Sequence, residues 1–425
     1  MTSSSTSAAA FTRKRAFRLG AGAASAGVLG AFSLIGATPA MAATDADCND
    51  TNTLSVAGGD VAMDIQVALN DLTVDLICLD GYFEVDTTLF YYHEVTIHGL
   101  PGATLDGGGD TQILAYETFD NLTVENLRFT GGSAAEGGAI EAYGVTVINS
   151  TFDDNDADFG GAIWAYTADI TDSTFTDNEA YFGGAVFTQS AATVYGTTFD
   201  QNIGNEDGGA IASYGVVDVV NSTFFENTND GPGAAIASGG GSIVQSTFLN
   251  NDGGGESDGQ AVVLYNSEED LDLRGNIFAT NSPLYALVAD FSDGGSINDL
   301  GGNVFSTPAV LENDFTASPT TQFEKSPAAL FGPNTLADNG GLTETVALIG
   351  SGPAINAVPV GEPSVTVDQR GVARDARSDS GAYEYVPALA DTGSTPNGWI
   401  AGIAGGLLAA GAAALVVTRR RFSNR

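Results

Sequence analysis

Basic residues are scarce in this chain: 14 lysines and arginines stand against 53 aspartates and glutamates, for a formal charge of −39. The scarcity is uneven. Between Ala43 and Thr392 lie all 53 acids but only six bases, Arg128, Arg274, Lys325, Arg370, Arg374 and Arg377, so that stretch carries about −47. A surface of this sign repels nucleic acid and anionic membranes. It would hold Ca2+ loosely, and no cofactor is expected. Histidine and cysteine number two each, too few for a zinc site. Glycine, in contrast, is abundant at 55 residues, and it marks turns that need positive φ.

The ends differ from the middle. Arg13, Lys14, Arg15 and Arg18 precede an Ala/Gly/Leu run and Ala40-Met41-Ala42, which reads as a secretory signal peptide over 1–42, with its signal helix. Lys14-Arg15 is a faint twin-arginine pattern beside the ordinary secretory reading. Export to an oxidising compartment lets Cys48 and Cys78 pair, closing an N-terminal cap onto the first coil. Two free thiols are the alternative. At the other end, Trp399–Val417 is a 19-residue apolar run followed by Arg419, Arg420 and Arg421. It is long enough for a transmembrane helix and has a basic cytoplasmic stop.

A repeat organises the middle. Phe129, Phe152, Phe175, Phe199, Phe224, Phe248 and Phe278 follow one another at 23, 23, 24, 25, 24 and 30 residues. Three residues after all but the first stands Asn155, Asn178, Asn202, Asn227, Asn251 or Asn281. Five before each stands Val124, Val147, Ile170, Val194, Val219, Ile243 or Leu273. Gly-Gly-Ala-Ile or a close variant intervenes at Gly137, Gly160, Gly183, Gly208 and Gly233. A period in the twenties means a solenoid, and the alternation around the aliphatic position is that of strands. The fold expected is an all-β, single-stranded parallel β-helix, rising roughly 4.8 Å per coil. Phenylalanines and aliphatic residues point inward, Thr151, Thr174, Thr198, Thr223 and Thr247 form an outward file, and the asparagines form a turn ladder. Residues 119–281 are the repeat coils. Residues 43–118 are the cap and irregular first coils, with a short capping helix over Asp64–Leu72, and 282–385 are C-terminal coils.

The GGAI and FxxN marks together resemble the repeats of polymorphic outer membrane proteins, within the pectin-lyase-like right-handed β-helix class. Adhesion is what that resemblance implies. Asp338-Asn339-Gly340-Gly341, Asp368-Gln369-Arg370-Gly371-Val372-Ala373-Arg374 and Gly381-Ala382-Tyr383-Glu384 resemble the end of the choice-of-anchor Q domain of bacterial surface β-helices. Asn356 departs from it, where an aspartate is expected. Leu389-Ala390-Asp391-Thr392-Gly393, the apolar run and the arginine tail resemble a sortase sorting signal over 386–425. The alanine at the second position is associated with class E sortases of high-GC Gram-positive bacteria. That resemblance implies a cell-wall location, a sortase and peptidoglycan as partners, and membrane contact only before sorting. A plain membrane anchor is the alternative.

Catalysis finds little support in the residues. Lyase chemistry on uronates needs a basic residue beside the substrate, and between Ala43 and Thr320 only Arg128 and Arg274 qualify. Hydrolysis by a supported aspartate group lacks its histidine and basic pair, since only His93 and His98 exist. Asp153–Asp158 has oxygen ligands but not the glycine and terminal glutamate of a calcium loop. Arg370 and Arg374 are expected to pair with carboxylates such as Asp368 or Asp379. Phe159, Trp164, Tyr181 and Phe182 are placed to stack on sugar rings, although in a coil half of such residues point inward. The function expected is a non-enzymatic, wall-anchored adhesin or surface-binding protein whose ligand is a glycan or matrix protein. A polysaccharide lyase or glycoside hydrolase is the rival.

Overall fold

Each repeat folds into one circuit of a parallel β-solenoid of about eight turns. A computed structural model of the chain describes Cys48 and residues 53–57 and 62–387, apart from 232, 255–261, 265–268, 281–286, 290–294, 308–314 and 361–364. One circuit shows the plan. Ile163–Thr171 forms the first face, Thr174–Thr176 the second and Glu179–Phe182 the third, and Val186–Tyr195 then starts the next turn. Every strand pairs in parallel with its equivalent one turn along, as Ile170 with Val194 and Phe175 with Phe199.

The corners explain the residue choice. The backbone is left-handed three residues before each phenylalanine, at Asn126, Asn149, Asp172, Asn221 and Gln245, with φ of 45–55°, and at Gly196 and Gly275. It is left-handed again two residues after, at Asp154, Asp177, Gln201, Glu226 and Asn250. Short polar side chains and glycine tolerate this region best. At the third corner the second glycine is needed for close approach: a Cβ on Gly161 would lie 2.2 Å from the Gly184 carbonyl oxygen.

Inside, the phenylalanine rings stack face to face from Phe129 to Phe305, with centroids 4.7–5.0 Å apart. That spacing is set by the strand ladder. Beside them, Asn155, Asn178, Asn202, Asn227 and Asn251 are buried and linked Nδ2-to-Oδ1 at 2.8–2.9 Å. Each also donates to a phenylalanine carbonyl of the turn before, as Asn178 does to Phe152. A second buried ladder, not anticipated from sequence, uses the residue two before each phenylalanine. The Ser150 amide donates to Ser173 Oγ, Ser173 to Thr197, Thr197 to Ser222, Ser222 to Ser246 and Ser246 to Asn276.

At the N-terminal end the helix spans Ala62–Leu69, slightly earlier than expected. Gln66 both accepts from the Phe90 amide (2.7 Å) and donates to its carbonyl (2.8 Å), satisfying a strand edge. A strand at Thr53–Ala57 precedes the helix and pairs with Leu76–Asp80. Cys48 and Cys78 are bonded through their sulfurs, with Cα atoms 5.9 Å apart.

The C-terminal part begins as further coil. Among the described residues the last strand is Val304–Phe305, and a partial turn follows it, with Thr316 bridging Asn298 and Gln322 bridging Val304 in parallel and Phe323 stacking on Phe305 at 5.4 Å. Beyond that turn the chain folds back along the outside of the second face. Phe331, Val346, Leu348 and Ala354 pack there on Phe225, Leu249, Ile277 and Ala279, making a second core. This changes the reading of the outward threonines. Thr198, Thr223 and Thr247 do point away from the main core, but the returning chain buries them. Thr198 Oγ1 donates to the Glu344 carbonyl (2.7 Å), Thr223 Oγ1 donates to Gln369 (2.6 Å), and Thr247 Oγ1 accepts from the Ala382 amide (2.9 Å). Among the described residues no helix is long and apolar enough to cross a membrane. The signal peptide, Leu389–Gly393 and the 399–417 run lie outside them.

Candidate functional site: an open polar face and an aromatic corner

The returning chain covers the second face only from Gly196 onward, where Thr343 Oγ1 donates to the Gly196 carbonyl. Two arginines fix it. Arg370 grips the buried Asp368 through Nε (2.9 Å) and Nη2 (2.6 Å), and its guanidinium lies 3.6 Å from the centre of the Tyr383 ring. Arg374 is buried and reaches Glu384 (3.2 Å), the Gly381 carbonyl and Asn221 Oδ1 (2.9 Å) of the solenoid. Asp379 accepts instead from the Asn356 and Tyr385 amides. Burial raises the pKa of Asp379 and of Glu384. These groups are satisfied by one another and form an internal clamp.

Before Gly196 the same face is open. Its outward rows carry Tyr82, Thr104, Arg128, Thr151 and Thr174, and then Glu84, Asp106, Thr130, Asp153 and Thr176, in parallel register. Polar groups do converge here. Arg128 donates to Asp153 through Nε (2.7 Å) and Nη2 (2.5 Å), Thr130 donates to the same carboxylate (3.0 Å), and Tyr82 donates to Asp106. The bond to Asp106 raises the Tyr82 pKa. A cleft of about 450 Å3 runs alongside, between Thr104, Arg128 and Thr151 and the turn residues Asn126 and Asn149. The two-point grip of Asp153 fixes the orientation of the guanidinium. Arg274, the other basic residue of the solenoid, is buried.

Around the corner between the third and first faces lies an external aromatic surface. Outward residues along the first face run Glu141, Trp164, Phe187, Ala212, Ala237, and the end of the third face carries Glu136, Phe159, Phe182, Asp207. Phe159 and Phe182 stack at 5.0 Å, and Phe187 meets Phe159 edge-on at 5.3 Å. Trp164 stacks on Tyr116, Tyr143 stacks on Tyr166 at 5.1 Å, and Phe119 is 76 % exposed. Of the four aromatics singled out in the sequence, Tyr181 is exposed and the other three are half-buried on the outside. None points inward, against the expectation for half of them. Tyr116, Phe119, Tyr143, Phe187 and Tyr214 were not singled out. For Tyr143, Phe187 and Tyr214 the signal was available: they sit three, one and three residues beyond the inward Ile140, Val186 and Ile211, where strand alternation turns them outward. Tyr116, two residues beyond Leu114 and packed against the main core, and Phe119, after the strand, lie off that pattern. Burial raises the Glu141 pKa within this surface. No family model matches the chain, and no curated protein matches its sequence.

Proposed function

We propose that the exported body is a non-enzymatic surface-binding protein displayed on the cell wall. The observation that supports the non-catalytic half is the Arg128–Asp153 pair at 2.5–2.7 Å: the guanidinium's Nε and Nη2 are engaged by a carboxylate of the next turn rather than turned toward a substrate. The aromatic surface supports binding, because Phe119, Tyr143, Tyr166, Tyr181 and Tyr214 leave apolar ring surface exposed to solvent, and such exposed apolar surface marks interaction sites. The coil is read as right-handed and pectin-lyase-like, since connections between parallel strands overwhelmingly take that hand. The repeats and the C-terminal clamp are read as adhesin-type and choice-of-anchor Q-like.

Anchoring rests on Leu389-Ala390-Asp391-Thr392-Gly393 and the apolar, arginine-terminated tail. A sortase thiolate would attack the Thr392 carbonyl, and a wall amine would resolve the acyl-enzyme. The test has two parts. The native protein is expected to be released from cells by muramidase and not by detergent, ending at Thr392; an intact 399–425 tail on the surface form would make it a membrane-anchored protein. Incubation with polygalacturonate or alginate and Ca2+ is expected to give no unsaturated uronate. Product that disappears in Arg128→Ala would return the protein to the lyases.

A further inference from the structure

The chain leaves the body at Tyr385, and that point lies on the flank of the solenoid rather than at its tip. The Tyr385 amide donates to Asp379 Oδ2 (2.6 Å), and its ring packs with the second core against Gly350. Just before it, the Gly381 amide donates to the Gly275 carbonyl (2.7 Å) and the Ala382 amide to Thr247 Oγ1 (2.9 Å). From Tyr82 to Gln322 the second face climbs ten steps of its ladder, and Thr247 is the seventh. Ten steps span about 48 Å at the strand spacing. The exit is therefore on the outside of the second face, three steps short of its C-terminal end.

Attachment through a flank sets an orientation. Thr392 is seven residues beyond Tyr385, so a bond to the wall there lies within on the order of 25 Å of Tyr385, about half the length of the solenoid. The open half of the second face continues the covered half in one ladder, with Thr174 paired to Thr198 across the boundary, and so lies on the same side as the exit. Of the three corners of a circuit, the one between the third and first faces is the one that the second face does not share. Its aromatic rings therefore point away from the attachment. The roof reaches only to Thr343, level with Gly196, which leaves the open half as a shelf one chain layer deep. That shelf presents hydroxyls, carboxylates and the held guanidinium, with Tyr82, Glu84 and Arg128 exposed. A hydrated polymer of sugars and short peptides exchanges hydrogen bonds with such groups, whereas a lipid surface would strip water from them without replacement.

We propose that the solenoid lies along the cell wall, the open half of its second face docked on the peptidoglycan and its aromatic corner directed outward. The proposal rests on the wall-anchored reading above and adds which side of the body meets the wall and which is left for a partner. Cys48 and Cys78 are bonded to each other, so single introduced cysteines can report exposure. Glu84→Cys and Thr176→Cys stand on the open half, and Asp158→Cys and Tyr181→Cys stand on exposed positions beside the aromatic corner. A polymer-linked maleimide is applied to intact cells and to the same protein released by muramidase, and the two labelling rates are compared at each site. Asp158→Cys and Tyr181→Cys should label on cells near their released rate, and Glu84→Cys and Thr176→Cys tenfold or more slowly. Two sites on each side keep the comparison intact if one variant misfolds. Equal ratios at all sites, or protection at the corner instead, overturns the docked orientation and leaves the wall anchor standing. A surface form that keeps residues 399–425 overturns the anchor and the orientation together.

Discussion

The second face of the solenoid is one sheet with two fates. From Phe129 its inward row is uniform, phenylalanine on phenylalanine at 4.7–5.0 Å, with Leu105 and Phe83 continuing it toward the N-terminal end. Its outward row is not. Glu84, Asp106, Thr130, Asp153, Thr176 and Asp200 are followed by Phe225, Leu249 and Ala279. The polar half remains open and the apolar half is roofed by the returning chain. The periodic positions thus specify the coil, and the residues between them decide what each stretch of its surface meets.

The largest effects should ignore that division. Phe152→Ala in the open half and Phe224→Ala in the covered half each remove a fully buried ring with ring neighbours above and below. Each should cost about 3–5 kcal/mol. Denaturant titration of both variants checks this, and a markedly cheaper loss in one half would mean the core is not continuous across the boundary. Arg374→Ala should cost as much, about 3–5 kcal/mol, because it leaves the Glu384 carboxylate buried without its partner. Its loss should be local. Hydrogen exchange should speed up over 365–385 and leave 104–176 protected. Arg128→Ala, the open-half counterpart, removes a pair whose arginine is 49 % exposed and should cost under about 1 kcal/mol.

The threonine row gives the finest contrast. Thr198 and Thr174 are register partners. Thr198 is fully buried, donates to the Glu344 carbonyl and accepts from Gln369 Nε2 at 2.8 Å, whereas Thr174 lies beyond the roof and is half-buried. Thr198→Ala should cost about 1–3 kcal/mol by leaving those groups unpaired, and Thr174→Ala about 0.5 kcal/mol or less. Equal thermal shifts for the two would mean the returning chain does not dock as described.

Most of the coil was legible because its constraints repeat. A phenylalanine every 23–25 residues must stack, and asparagines three residues later must face one another. The Ser150–Ser246 ladder was equally periodic and was passed over, since serine before Thr-Phe reads as an ordinary turn. The roof was not legible from periodicity, because its partners are 120–171 residues apart in the chain, as Gln369 is from Thr198. One sign was present. The replacement of Asp200 by Phe225 and Leu249 in an outward row exposes apolar surface that something must cover. The aromatic corner was half legible: alternation predicts which residues leave the main core, but not that Phe187 is then covered by Phe159 and Tyr214 of other strands.

The boundary itself should respond to pH. Asp200 is the last polar residue of the outward row, and its Oδ1 is buried without a hydrogen-bond partner. Burial raises its pKa to about 6, with Asp177, Glu226 and Glu344 adding repulsion and a hydrogen bond from Gln201 opposing it. A carboxyl with a raised folded-state pKa binds its proton more tightly folded than unfolded. Its contribution therefore favours the fold at low pH and is lost as pH rises from about 4, the unfolded value, through about 6. Above that it is constant. The shift corresponds to about 2–3 kcal/mol before solvent screening, and about 1–2 kcal/mol is expected for a group only partly enclosed. Asp200→Asn keeps the shape and abolishes the titration. It should stabilise the protein by that amount at pH 7 and by almost nothing at pH 4, the difference appearing between those values in paired denaturant titrations. A constant offset for Asp200→Asn at all pH values would mean that the roof does not reach Asp200 and that the open face extends one turn further.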